Sequence, residues 1–162
     1  MGKVFKYGDD VNTDVIFPGK YTYTVTEPSE MAKHALEDLD PQFKDKVRNG
    51  DVVVAGKNFG CGSSREQAAS CLKYSGVHAI IAESFARIFY RNAINFGLPA
   101  IVCPEAARSL KDGDSVQVDL TQGKIRTESK VYDFVPFPEF VTEIMEDGGL
   151  LEHIRKEFSS NG

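Results

Sequence analysis

The chain has 162 residues, 41% hydrophobic and 27% charged, enough for one compact domain that buries roughly 70% of its unfolded surface without staples. A net charge of -5 with scattered Lys and Arg argues against a nucleic-acid footprint, and no apolar run approaches the roughly 20 residues of a membrane span. The first ten residues lack an apolar stretch and turn acidic at Gly8-Asp9-Asp10, so a secretory signal is not expected and a cytoplasmic setting is.

In chain order, Val4-Phe5 and Val15-Ile16-Phe17, separated by Gly8-Asp9-Asp10 and followed by Pro18-Gly19, predict strand, turn, strand. Met31, Ala32, Ala35, Leu36 and Leu39 recur at helical spacing and predict a helix over 29–39, started by Pro28-Ser29 and ended by Pro41. Residues 44–49 read as a charged connector closing in the Asn49-Gly50 turn. The β-branched run 51–56 suits a buried strand, and 67–74 is an Ala-rich helix ending at Gly76. A second apolar run at 77–82, a second helix over 85–95 closed by Gly97, and a third run at 98–103 complete the alternation. That order predicts an α/β fold with a parallel βαβαβ core and right-handed crossovers. Beyond Pro104 short extended pieces are expected, including a β-hairpin from 115–120 through Gln122-Gly123 into 124–127. Two short helices, over 138–145 and 150–158, close the chain.

Between the strand at 51–56 and the helix at 67–74 stands Gly60-Cys61-Gly62-Ser63-Ser64-Arg65. A loop in that position aims backbone N–H groups and the positive end of a helix dipole at one spot, which favours a carboxylate or other anion. The glycines allow close ligand approach, Ser63 and Ser64 offer hydroxyls, and Arg65 offers a fork suited to a carboxylate. Capping of the helix by Ser63 or Ser64, with Glu66 closing a reciprocal arrangement, accounts for the same residues equally well. The pattern is neither a Walker loop nor G-x-G-x-x-G, since Arg65 stands where the last glycine would. Cys61, Cys71 and Cys103 are too few and too irregularly spaced for a disulfide framework or a metal site, so no metal or cofactor is expected in this chain. His34, His78 and His153 stand apart and read as satisfied or surface side chains, and Arg87 and Arg91, four apart on a helix, read as structural ion-pair partners.

The stretch from Gly56-Lys57-Asn58-Phe59 through the glycine loop to Glu66-Gln67-Ala68 resembles the signature of the aconitase swivel-domain family. The whole chain, 1–162, resembles the separate small subunits of its isopropylmalate dehydratase branch. The likeness extends to Gly8-Asp9-Asp10-Val11-Asn12-Thr13-Asp14, to Glu83-Ser84-Phe85-Ala86-Arg87-Ile88-Phe89-Tyr90-Arg91-Asn92-Ala93, and to Asp147-Gly148-Gly149-Leu150. It implies a single swivelling β/β/α domain and a hydro-lyase active only with a large subunit. That partner would carry a [4Fe-4S] cluster whose open iron takes the leaving hydroxyl. The substrate would be a small dicarboxylate, 2-isopropylmalate, converted to 3-isopropylmalate by dehydration and rehydration in leucine biosynthesis. No nucleic acid or membrane partner is implied, while self-association of the isolated chain is left open.

By family position Ser63 is the base, Ser64 and Arg65 bind substrate, and Asp14 lies near the site, where it would orient Arg65; a turn-forming aspartate is the plainer reading of Asp14. The resemblance makes Tyr21-Thr22-Tyr23-Thr24 the loop that reads the substrate's variable group. Homoaconitase-like relatives carry arginine where Tyr23 stands, so the cation for a third carboxylate is missing and a less polar group is favoured. Methylmalate, dimethylmalate and homoaconitate relatives, a non-catalytic carboxylate-binding module, and a purely structural subunit remain the alternatives. On plain extended geometry Tyr21 and Tyr23 would simply alternate, one packed and one exposed. A polar loop over 20–27 is also expected to order as the partner closes over it.

Overall fold

The computed structural model describes residues 1–161; Gly162, the last residue of the expected domain, lies outside them. The described strands are β1 (Gly2–Lys6), β2 (Val52–Ala55), β3 (Ala79–Ala82), β4 (Ala100–Val102), β5 (Ser115–Asp119), β6 (Lys124–Arg126) and β7 (Val131–Asp133). They form one sheet in the order β4-β3-β2-β1-β5-β6-β7. The first four run parallel, with Val4 opposite Val52, Val53 opposite Ile80 and Ile81 opposite Ile101. The remaining strands are antiparallel, joined where Gly2 and Lys3 face Val116 and Ser115. The βαβαβ core and hairpin read from the sequence are thus present.

Every residue of β2 and β3 is buried, because each face of the sheet is covered. Val53, Ala55, Ile80 and Ala82 point to one face, against Ala68 and Leu72 of α4 (Glu66–Tyr74) and Phe89 and Ala93 of α5 (Arg87–Asn95). Val52, Val54 and Ile81 point to the other, against Ala106 and Leu110, the hairpin residues Val116 and Ile125, and Tyr132. At about 1.5–3 kcal/mol for each large apolar side chain fully buried, these two layers dominate the fold's stability. Asp51, buried before β2, accepts from the Lys3 and Arg48 backbone N–H groups at 2.9 and 2.8 Å and fixes how β1 enters the sheet.

Four expectations are corrected. Residues 13–17 do not form a strand; Thr13–Ile16 is α1, a single helical turn started by Asn12, whose Oδ1 accepts from the Val15 N–H at 3.0 Å. This local cap outweighs the β-branched composition. The helix expected over 29–39 stops early: α2 spans Pro28–Lys33, and Leu36 takes φ +55° so that its N–H reaches the Ile16 carbonyl at 2.8 Å. That bond and the complete burial of Leu36 outweigh continued helix. The connector contains a short helix, α3 (Phe43–Lys46), anchored by the fully buried Phe43. Before the expected extended pieces, β5 to β7, the chain first forms a helix after Val102, α6 (Pro104–Ser109), with Pro104 in the first turn and Lys6 Nζ donating to the Ala107 and Leu110 carbonyls at 2.5 and 2.6 Å. The chain closes with α7 (Glu139–Glu146) and α8 (Leu150–Asn161), the two expected terminal helices.

Candidate functional site

The segments leaving the C-terminal ends of β1, β2 and β3 meet at one edge of the parallel sheet, where open α/β sheets place their ligands. They are stitched together by backbone. Gly60 N–H donates to the Val11 carbonyl at 2.7 Å and Thr13 N–H to Cys61 at 2.8 Å; on the other side Phe59 N–H donates to Ser84 at 3.1 Å and Ala86 N–H to Phe59 at 2.9 Å. Phe59, fully buried, packs edge-on against Phe89 with centroids 5.2 Å apart. Gly60 sits at φ +84° directly on the Phe89 ring, which a side chain there would strike, so the backbone can run this close only as glycine. With 59–61 clamped on both sides, Gly62, Ser63 and Ser64 are pushed outward, exposed, at the start of α4.

The capping reading fails. Arg65 is the N-cap residue of α4, Glu66 its first helical residue, and no side chain caps it. Among the described residues neither serine makes a side-chain hydrogen bond, so both hydroxyls and the helix's first N–H groups remain available to a ligand. Arg65 is held rather than loose: its side chain is 18% exposed, one nitrogen donates to the Phe17 carbonyl at 3.1 Å, and another pairs with Asp14 at 2.5 Å. Asp14 lies in the first turn of α1 and reaches Arg65 directly. Two of the five guanidinium N–H donors are thereby engaged.

Thr13, Gly60, Gly62, Ser63, Ser64 and Arg65 share an open cleft of about 170 Å³ with the start of α5, from Ala86 to Phe89, and Asn92. Sequence reasoning missed this second wall. Arg87 and Arg91 do not make the ion pairs expected of them; among the described residues neither has a carboxylate partner. Nothing but the tertiary convergence of two helix N-termini distinguishes Arg87 from Arg91 one turn later.

The loop carrying Tyr21, Thr22, Tyr23 and Thr24 is not extended. It begins with a 3-10 turn, Gly19–Tyr21, and continues in turns, because the Thr22 N–H and hydroxyl both donate to the Gly19 carbonyl. Tyr21 stacks on His34 with centroids 3.9 Å apart, while Tyr23 is 94% exposed. The loop adjoins the Arg65 side of the site: Gln67 Nε2 donates to the Thr22 carbonyl at 3.1 Å, and the Arg65 guanidinium lies against Gly19. Neither tyrosine lines the cleft at Ser63.

The donor set here does not fit an iron–sulfur cluster. Cys71 is fully buried and burial pushes its thiol well up, Cys103 directly follows β4 with its thiol also raised by burial, and Cys61 stands alone in the loop. No group of three or more His, Cys, Asp or Glu side chains suited to a metal comes together among the described residues. His34 and His153 are hydrogen-bonded to Glu37 and Asp147 at 3.1 and 2.8 Å. No helix of the described residues is long and apolar enough to cross a membrane.

Residues 9–106 match the aconitase C-terminal domain. The chain is 54% identical over 160 residues to the 3-isopropylmalate dehydratase small subunit of Ruminiclostridium cellulolyticum, covering 98% of each. It is 53% identical over 162 residues to that of Caldicellulosiruptor bescii, covering 99% of this chain and 97% of the relative. The crystal structure of a 3-isopropylmalate dehydratase from Methanocaldococcus jannaschii superposes with a TM-score of 0.90 at 46% identity, over 99% of this chain and 98% of the other.

Proposed function

The chain belongs to the aconitase C-terminal domain family, and from that premise we propose that it is the small subunit of a 3-isopropylmalate dehydratase, a hydro-lyase of leucine biosynthesis. The observation that carries the reading is the arrangement at the start of α4. Exposed Ser63, whose hydroxyl makes no hydrogen bond among the described residues, stands beside an arginine whose orientation is fixed by Asp14 and the Phe17 carbonyl.

In this reading Ser63 Oγ removes the proton from the carbon beside a substrate carboxylate and returns it to the neighbouring carbon during rehydration. A serine hydroxyl is far too weak an acid to ionise in open water, so its alkoxide needs preorganised donors and exclusion of solvent. The α4 N-terminus and Arg65 supply donors, Ser64 adds its amide and hydroxyl, and Arg65 grips a carboxylate with its unused N–H groups. Exclusion of solvent has to come from outside, because Ser63 and Ser64 lie on the surface of this chain. A large partner subunit closing over the cleft would meet that need and would carry the [4Fe-4S] cluster that the family resemblance implies, a reading consistent with the lack of a suited donor set among the described residues. Tyr23, exposed on the loop beside Arg65, is the group that contacts the substrate's apolar branch once the partner is in place. Such an assembly would work in the cytoplasm.

Reconstitution tests the reading: the large subunit of an isopropylmalate dehydratase is assayed with and without this chain on 2-isopropylmalate, methylmalate and homocitrate. Turnover that requires both chains and favours 2-isopropylmalate is expected. A large subunit equally active alone would overturn the reading.

A further inference from the structure

Helix α5 is nine residues long and begins at Arg87, with Ala86 as N-cap and no side chain capping it. Its first N–H groups have no partner within the helix and open on the cleft lined by Ser63 and Ser64. Arg87 is exposed, lines that cleft, and pairs with no carboxylate among the described residues, so its fork is free. An independent sign of a missing ligand lies beside it. Thr13 is only 2% exposed, borders the same cleft, and its Oγ1 has no hydrogen-bond partner among the described residues. Buried hydroxyls are rarely left so, because an unmet one carries its desolvation penalty.

Charge makes the same demand. Arg65 is already neutralised by Asp14. A dicarboxylate brings two negative charges into this small space, and the pair can hold one of them through the remaining guanidinium donors. Of the cations lining the cleft, Arg87 alone is uncompensated.

We propose that Arg87, with the α5 N-terminus and Thr13 Oγ1, forms a second carboxylate-binding site in the Ser63 cleft, holding one carboxylate of the substrate while Arg65 holds the other. This rests on the dicarboxylate hydro-lyase reading above. Arg87 is a binding residue here and carries no proton.

The test uses the reconstituted complex, with 2-isopropylmalate and its two monoamides as probes, followed by calorimetric binding and by turnover. Arg87→Gln is expected to weaken binding of the diacid and raise KM roughly 10- to 100-fold, the worth of a hydrogen bond to a charged group, with a smaller change in kcat. One monoamide, lacking the carboxylate that Arg87 holds, becomes insensitive to Arg87→Gln; the other keeps the full effect. Arg87→Lys recovers part of the loss, since it restores charge without the fork. Arg91→Gln, one turn further along α5 and outside the cleft, behaves as the parent complex. Assembly and far-ultraviolet circular dichroism match the parent in every variant. Unchanged diacid affinity in Arg87→Gln, or an equal loss for the diacid and both monoamides, would overturn the proposal. A parent complex that binds the diacid without turning it over would instead sink the hydro-lyase reading, and the binding arm would still judge Arg87.

Discussion

Replacing Asp14 by Asn removes the charge that pairs with Arg65 while keeping the shape and the first turn of α1. The Asp14 side chain is 63% exposed, and an ion pair so open to solvent contributes no more than about 1 kcal/mol to stability. For a chain of this size that is a fall in Tm of roughly 2–4 °C at most. The effect on substrate should be much larger. Arg65 keeps only the Phe17 carbonyl, at 3.1 Å, as a fixed partner, and its guanidinium can pivot about that single contact. Misplacement of a positioning group by about 1 Å costs on the order of 100-fold, so a loss of about 10- to 100-fold in kcat/KM is expected. The assay is steady-state kinetics of the Asp14→Asn chain with its large partner, beside a thermal melt of the chain alone. Activity within about twofold of the parent would refute the claim that Asp14 positions Arg65 and leave the contact an ordinary surface pair.

Gly60→Ala should destabilise the chain by about 2–4 kcal/mol, combining strained backbone at positive φ with a methyl forced onto the Phe89 ring. Chemical denaturation measures this, and Phe89→Leu in the same chain should restore part of it; a neutral Gly60→Ala would show that the loop is not clamped as described. At the α7–α8 junction, hydrogen bonding to Asp147 holds His153 above its ordinary pKa of 6.5, and the same contact holds Asp147 below 3.8. The histidine's contribution is therefore complete below pH 6.5 and is lost as pH rises through its raised folded value. The aspartate's contribution is present above pH 3.8 and is lost as pH falls through its lowered value. The protection of the α8 amides, measured relative to their base-catalysed intrinsic exchange, should fall on the alkaline side in the parent chain, and His153→Gln should remove that fall.

The parts of the fold legible in sequence are those where composition and local conformation agree. The buried β-branched run of β2, and the helix ends at Gly76 and Gly97, both at positive φ, mark the βαβαβ core unambiguously. The misread segments are those where one tertiary bond decides the conformation. Val15 and Ile16 favour strand by composition, but the Asn12 cap and the tie from Thr13 N–H to Cys61 fold them into a turn of helix. Leu36 has helical spacing, yet its N–H is claimed by Ile16. At the site, the chemistry of the Gly60 to Arg65 loop suits an anion and a helix cap equally, and the structure removes the cap; the pairing of Asp14 with Arg65 lies within what the resemblance implies. Arg87 was assigned to an ion pair because nothing local separates it from Arg91; only the convergence of α4 and α5 brings it to Ser63.

The most direct measurement is turnover and substrate binding by the Ser63→Ala chain in its reconstituted complex. If Ser63 is the base at the head of α4, turnover of 2-isopropylmalate should be almost completely lost while affinity falls only modestly, because Arg65 and the helix N-termini remain in place. Turnover close to that of the parent complex would contradict it.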